Sequence, residues 1–202
     1  MHTIEPHWNW RDHYDSSRDS KSPFFGRTYD EFSYSQKIYN YYIHPQWDQF
    51  GSETLYMKIL WVDYQEGFAI FEMIGEWNDA LHNDGMFLKR EVVDALALYK
   101  IDKYIVICDN VLNFHASDDS YYEEWWEDTG AEGGWIAFLN LHDHVEQEFR
   151  EAQIAQYVNM GGPLNQVNWR PQKPLHLFKV LDAVLGHSGH LNPGEAMASI
   201  LE

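Results

Sequence analysis

The run Tyr104-Ile105-Val106-Ile107-Cys108, closed by Asp109-Asn110, constrains this chain more than any other feature. A strand with one wet face alternates apolar and polar residues. A strand apolar on both sides must be covered on both sides. That places residues 104–108 inside a sheet with packed layers on its faces, the arrangement of α/β proteins. Residues 55–62 and 68–74 are rich in β-branched and aromatic side chains and flank the turn Asp63-Tyr64-Gln65-Glu66-Gly67, which predicts a hairpin. Leu88, Val92, Ala95, Leu96 and Tyr99 fall on one face of a helix, with Lys89, Arg90, Glu91 and Asp94 on the others. Ser120 with Glu123, and Asp143 with Glu146, have capping-box spacing and predict two more helix starts. Residues 135–141 read as a strand and residues 154–158 as a short one. Pro174 opens a last helix whose buried face is Leu177, Phe178, Leu181, Val184 and Leu185. The order β-β-α-β-α-β-α-β-α implies an α/β fold. Its sheet is mixed and largely parallel, with helices packed on it.

Residues 1–50 have another character. They are polar and aromatic, with few aliphatics, and lack clear periodicity. Such a segment is too aromatic for a disordered tail. It reads as an irregular arm laid over a single α/β domain at 51–190, with a C-terminal tail at 191–202. A ligand pocket between arm and sheet is a further reading.

The formal net charge is −18, from 14 basic and 32 acidic residues. Phosphate recognition needs clusters of Lys and Arg, so nucleic acid and anionic membrane surfaces are poor partners. A protein with a basic patch suits this surface better, and a homo-oligomer fits it too. The single cysteine, Cys108, precludes an intrachain disulfide, and its apolar run makes it a buried small hydrophobe. No signal-peptide pattern opens the sequence and no apolar stretch approaches bilayer length, so the expected compartment is the cytoplasm.

Residues 104–117, Tyr-Ile-Val-Ile-Cys-Asp-Asn-Val-Leu-Asn-Phe-His-Ala-Ser, have an apolar strand, a small turn, a Val-x-Phe-like step and then a serine near a helix start. This run, with the element order of residues 68–185, resembles the STAS domain of bacterial anti-sigma-factor antagonists. The resemblance implies a regulatory, non-enzymatic domain that meets a protein partner at that helix. It also makes Ser117 the counterpart of the family's phosphorylated serine. Here Asp118 and Asp119 adjoin Ser117, and their charge opposes a phosphate.

The candidate partner-binding residues are Ser117, Asp118, Tyr121, Tyr122, Trp125 and Trp126, since exposed Tyr and Trp are common hot spots. The competing reading of that stretch is a helix with its rings in the core. A second function would be metal-assisted hydrolysis, with His142 and His144 as ligands of a divalent ion and Asp109 nearby. His-x-His after a strand also suits a helix start capped by Asp143. His187 and His190 form a further weak metal pattern. The sequence has no phosphate-binding loop, no Gly-x-Gly-x-x-Gly, no Gly-x-Ser-x-Gly and no cysteine cluster. No resident cofactor is expected under the interaction reading.

Overall fold

In the computed structural model, which describes residues 4–131 and 133–186, four strands form the main sheet. The residues at 187–202, including His187, His190 and the expected tail, lie outside the described part. A small hairpin, β1 (Lys37–Ile38) with β2 (Tyr41–Tyr42), stands apart in the N-terminal segment. In the main sheet, β3 (Leu55–Asp63) and β4 (Phe68–Asn78) form the antiparallel hairpin. At its turn Asp63 Oδ1 accepts from the Gln65 and Glu66 N–H groups at 2.9 and 3.0 Å. Strands β5 (Lys103–His115) and β6 (Trp135–Leu139) add in parallel, giving the order β3-β4-β5-β6. The apolar run of residues 104–108 is fully interior, as its two-sided hydrophobicity requires.

The period of two along each strand splits the core into two layers. Met57, Phe71, Met73, Tyr104, Val106, Ile136 and Phe138 face one way. They meet Leu88, Val92 and Leu96, then Tyr122 and Trp125 of α4 (Ser120–Gly130), then Val145 and Phe149 of α5 (Asp143–Glu151). Phe68, Ile70, Ile105, Ile107, Ala137 and Leu139 face the other way. They meet Leu177, Phe178 and Leu181 of α6 (Pro174–Leu185), and also Trp10. The rings of Phe68 and Phe178 stack at 4.1 Å.

Four expectations need correction. The helix expected to begin near Leu88 begins earlier. After the short α1 (Asp79–His82), α2 (Asp84–Phe87) runs through a π-helical turn, Leu88–Val93, into α3 (Asp94–Ala97). A π turn carries one extra residue and rotates the helix beyond it. Lys89, read as solvent-facing, is buried at 1% exposure and ion-paired to Asp94, Asp128 and Glu124. Residues 154–158 are not a strand, because Gln153 takes a left-handed φ of 63° and starts a 3-10 turn, Ile154–Gln156. The strand pairing contracts to one parallel bridge, Ala137 with Asn159. The capping boxes also fail. Ser120 is inside α4, and His142 holds the cap position of α5 with no side-chain bond.

Candidate functional site

β5 runs on past the central core to His115, and the chain reaches α4 through an exposed loop at 116–119. Ser117 is exposed there, with no side-chain hydrogen bond among the described residues. Asp118 Oδ1 accepts from the Ser120 hydroxyl and from its N–H at 3.1 Å. Those two bonds hold the Asp118 carboxyl below its ordinary range. Asp118 therefore binds the first N–H of α4, while the cap position itself is Asp119, whose side chain makes no capping bond.

Helix α4 has two faces with different duties. Tyr122, Trp125 and Thr129, spaced three and four apart, point into the core. Tyr122 and Trp125 are each only 2% exposed, so neither can line a docking surface, and that part of the expected cluster is corrected. The reason lies in the sheet beneath. Tyr104 and Phe138 leave a wide space that Trp125 fills, with ring centroids at 5.3 and 6.4 Å. The Tyr122 hydroxyl donates to Asp79 Oδ2 at 2.6 Å, and burial raises both the phenol and the Asp79 carboxyl, the latter to about 6.

The outward face keeps Tyr121, half-buried with the Arg90 guanidinium 5.7 Å from its ring, and Trp126, 48% exposed. The acids of α4 divide the same way. Glu124 is clamped by Arg90 Nη1 and Nη2 at 2.6 and 2.7 Å, which lowers its pKa, and Asp128 meets Lys89 Nζ at 2.9 Å. Glu123 and Glu127 have no ion pair among the described residues. They lie beside Trp126, whose ring is 6.2 Å from that of Tyr157. The Tyr157 hydroxyl donates to Asp119 Oδ2 at 3.1 Å. Partial burial, that bond, and the charges of Asp119, Glu123 and Glu127 all raise its pKa. The result is a ring pair, Trp126 and Tyr157, ringed by three carboxylates with no cation among the described residues paired to them.

Tyr157 and Glu127 were not singled out by sequence. Tyr157 sat in a segment read as strand, and only the 3-10 turn swings it to α4. Lys89 and Arg90, both in the π-helical turn, pair with Asp94, Glu124 and Asp128 and not with Glu123 or Glu127.

The proposed metal ligands do not converge. His142 and His144 are exposed on the first turn of α5, their rings stacked 5.8 Å apart, and His144 Nε2 lies 2.8 Å from the Leu112 carbonyl. Asp109 points to the opposite face of the sheet, where Oδ2 accepts from Trp169 Nε1 at 2.8 Å. The alternation of β5 sends Asp109 with Ile105 and Ile107 toward α6, whereas α5 covers the other side. No group of three or more His, Cys, Asp or Glu among the described residues is arranged to hold a metal ion. The metal-hydrolase reading thus loses its site. Cys108 is buried, and burial pushes its thiol pKa well up, the wrong direction for a nucleophile.

No protein-family model and no curated protein sequence matches the chain. The crystal structure of a Thermotoga maritima protein, described as a candidate anti-sigma factor antagonist, is weakly similar in structure. Its TM-score is 0.38 at 17% identity, over 51% of this chain and 81% of that one. No helix among the described residues is long and apolar enough to cross a membrane.

Proposed function

We propose that the chain is a protein-interaction domain of regulatory type that captures a basic segment of a partner on the outward face of α4. One observation carries this reading: the exposed Trp126 and the half-buried Tyr157 form a ring pair beside Asp119, Glu123 and Glu127, and no cation of the described residues neutralises those three acids. A lysine or arginine side chain satisfies both features, being attracted to ring faces and to carboxylates. The C-terminal end of α4 adds negative dipole potential, with no basic residue in its last turn. Ser117 and Asp118 form the exposed lip of this face, and Tyr121 its far side. In this reading residues 1–50 are an arm that covers the sheet, supported by the burial of Trp10, Phe24 and Trp47. The domain works in the cytoplasm without a cofactor, binds neither nucleic acid nor membrane, and has room to self-associate away from α4.

The test is calorimetric titration with a lysine-rich peptide and with an otherwise identical glutamate-rich one. The basic peptide is expected to bind, more weakly as salt rises. Trp126→Ala is expected to reduce its affinity about two- to fivefold, the worth of one exposed cation–ring contact. The paired change Glu123→Gln with Glu127→Gln should weaken binding and flatten its salt dependence. Equal affinity for both peptides, or indifference to Trp126, would sink the reading.

A further inference from the structure

Glu72 lies in β4 and faces the same side as Phe68 and Ile70. It pairs with Ile107 of β5, and Ile107 pairs with Leu139, the last residue of β6. The carboxylate therefore sits level with the carboxyl end of β6, with Asp109 further along β5. Open α/β sheets bind ligands beyond such strand ends. Here the place is closed. Glu72 is 0% exposed, and two donors reach it: the His7 backbone N–H, 2.7 Å from Oε2, and Arg170 Nη2, 3.3 Å from Oε1. Arg170 also lies 3.4 Å from Asp109 Oδ2. Lys58 stands opposite Glu72 in the β3 register, with Nζ bound to Asp48 at 3.0 Å. The His7 ring packs edge-on between Trp10 and Trp169 at 4.9 and 4.8 Å. His7, Lys58, Asp109 and Arg170 are thus the charged and titratable groups around the carboxylate.

The cover over Glu72 is residues 4–14. Its long-range hydrogen-bond anchors are few. Trp47 Nε1 donates to the Ile4 carbonyl at 2.8 Å, His7 N–H to Glu72, and Trp10 Nε1 to the Gln172 carbonyl at 3.1 Å. Pro6 and Trp10 supply most of its apolar burial, and at its far end the half-buried Tyr14 lies 6.1 Å from the Trp61 ring. Glu5 Oε1 to His44 Nε2 at 3.6 Å and Arg11 Nη2 to Glu31 Oε1 at 3.8 Å are long contacts to exposed carboxylates and add little. It does not lie flush on β3, since a cavity of about 40 Å³ separates them, lined by Glu5, His7, Arg11, Lys58 and Leu60 among others. Segments held by so few contacts open without global unfolding.

We infer that residues 4–14 are a strap that opens by itself, that ionised Glu72 opposes its closure, and that its opening uncovers a charged pit made by Glu72, Asp109 and Arg170. Burial pushes the Glu72 carboxyl up to about 7, against the pull of the His7 N–H and Arg170. Opening the strap returns it to water and to the ordinary carboxylate range. At low pH Glu72 is protonated in both states and does not oppose closure. As pH rises through about 7, the closed state loses that advantage, and this group alone weakens closure about tenfold between pH 6 and pH 8. His7 works in the opposite sense. Burial and Arg170 lower its imidazole to about 4, so closure expels a proton from it and acid favours opening. The two linkages oppose each other in the native chain, and a ratio against a Glu72 variant isolates the first.

The experiment is native-state trypsin cleavage after Arg11, which is exposed but can enter a protease only when the flanking segment with Trp10 detaches. Wild type should be cleaved faster than Glu72→Gln, and the ratio of the two rates should grow about tenfold from pH 6 to pH 8. The protease's own pH dependence and the His7 contribution cancel in that ratio. A ratio independent of pH would overturn the inference. So would cleavage that responds to urea as steeply as global unfolding does. If Glu72→Gln does not fold, Arg170→Gln replaces it. Removing the cation beside ionised Glu72 should speed cleavage at pH 8 and leave it unchanged at pH 6, and equal effects at both would overturn the strap.

Discussion

Trp125→Ala is expected to lower the unfolding free energy by about 3–5 kcal/mol, whereas Trp126→Ala, one position on, should change it by less than about 0.5 kcal/mol. The two residues share a helix and a side-chain type, so intrinsic propensity plays little part in the contrast. Trp125 packs against Tyr104 and Phe138 at the centre of one core layer, and its removal leaves a cavity that strands β5 and β6 cannot collapse to fill. For a chain of this length the loss corresponds to a fall in melting temperature of roughly 6–20 °C. Trp125→Phe should cost less. It keeps most of the ring contact and also removes Nε1, a buried donor without a partner among the described residues, whose burial opposes folding by about 1–3 kcal/mol. Urea titration of the three variants checks the order. Equal losses for Trp125→Ala and Trp126→Ala would mean that α4 is not docked as described, and the binding face argued for its other side would fall with it.

That contrast also marks how far the sequence could be read. The hairpin, the interior strand at 104–108 and the strand expected at 135–141, which ends at Leu139, were legible because apolar content over several residues is a strong local signal. Helix α6 was legible from Pro174 and the spacing of Leu177, Phe178 and Leu181. What the pattern could not reveal was rotation. Tyr121-Tyr122-Glu123-Glu124-Trp125-Trp126 alternates in pairs, so apolar residues occur on every side of the helix, and only the partner surface decides which ring is buried. The π turn at Leu88–Val93 is set by tertiary packing, and it reverses the reading of Lys89 from surface charge to buried ion-pair centre. The strand expected at residues 154–158 failed because Gln153 adopts a left-handed conformation that its side chain does not advertise. Glu72 did leave a trace, a lone acid within Phe71-Glu72-Met73, yet its burial depends on His7 and Arg170, far away in sequence.

Gly75→Ala is expected to cost about 2–5 kcal/mol, from left-handed strain of about 1–2 and backbone crowding of about 1–3. Gly75 has φ of +122°, and a Cβ there would lie 2.1 Å from the Thr54 carbonyl oxygen. That oxygen is fixed, because it accepts from the Glu76 N–H at 3.0 Å while Thr54 Oγ1 donates to the Glu76 carbonyl at 3.1 Å. Nothing at the end of a flexible side chain can give way, so β3 and β4 would have to separate. The position is also where β4 changes register against β5, between Gly75 and Glu76. Beyond it the strand delivers Trp77 to the core and leads to Asp79, the acceptor for the Tyr122 hydroxyl of α4. A displaced β4 should therefore loosen α4 and weaken binding at Trp126, some distance from the substitution. Gly26→Ala is the matched control. Its φ is +78°, but nothing lies within 4 Å of the added Cβ, so only the strain of about 1–2 kcal/mol should appear. Denaturation midpoints at unchanged slope give both costs. If Gly75→Ala were no worse than Gly26→Ala, the Thr54 carbonyl would not be locked, and β4 could no longer be taken as the rigid link between the hairpin and the outward face of α4.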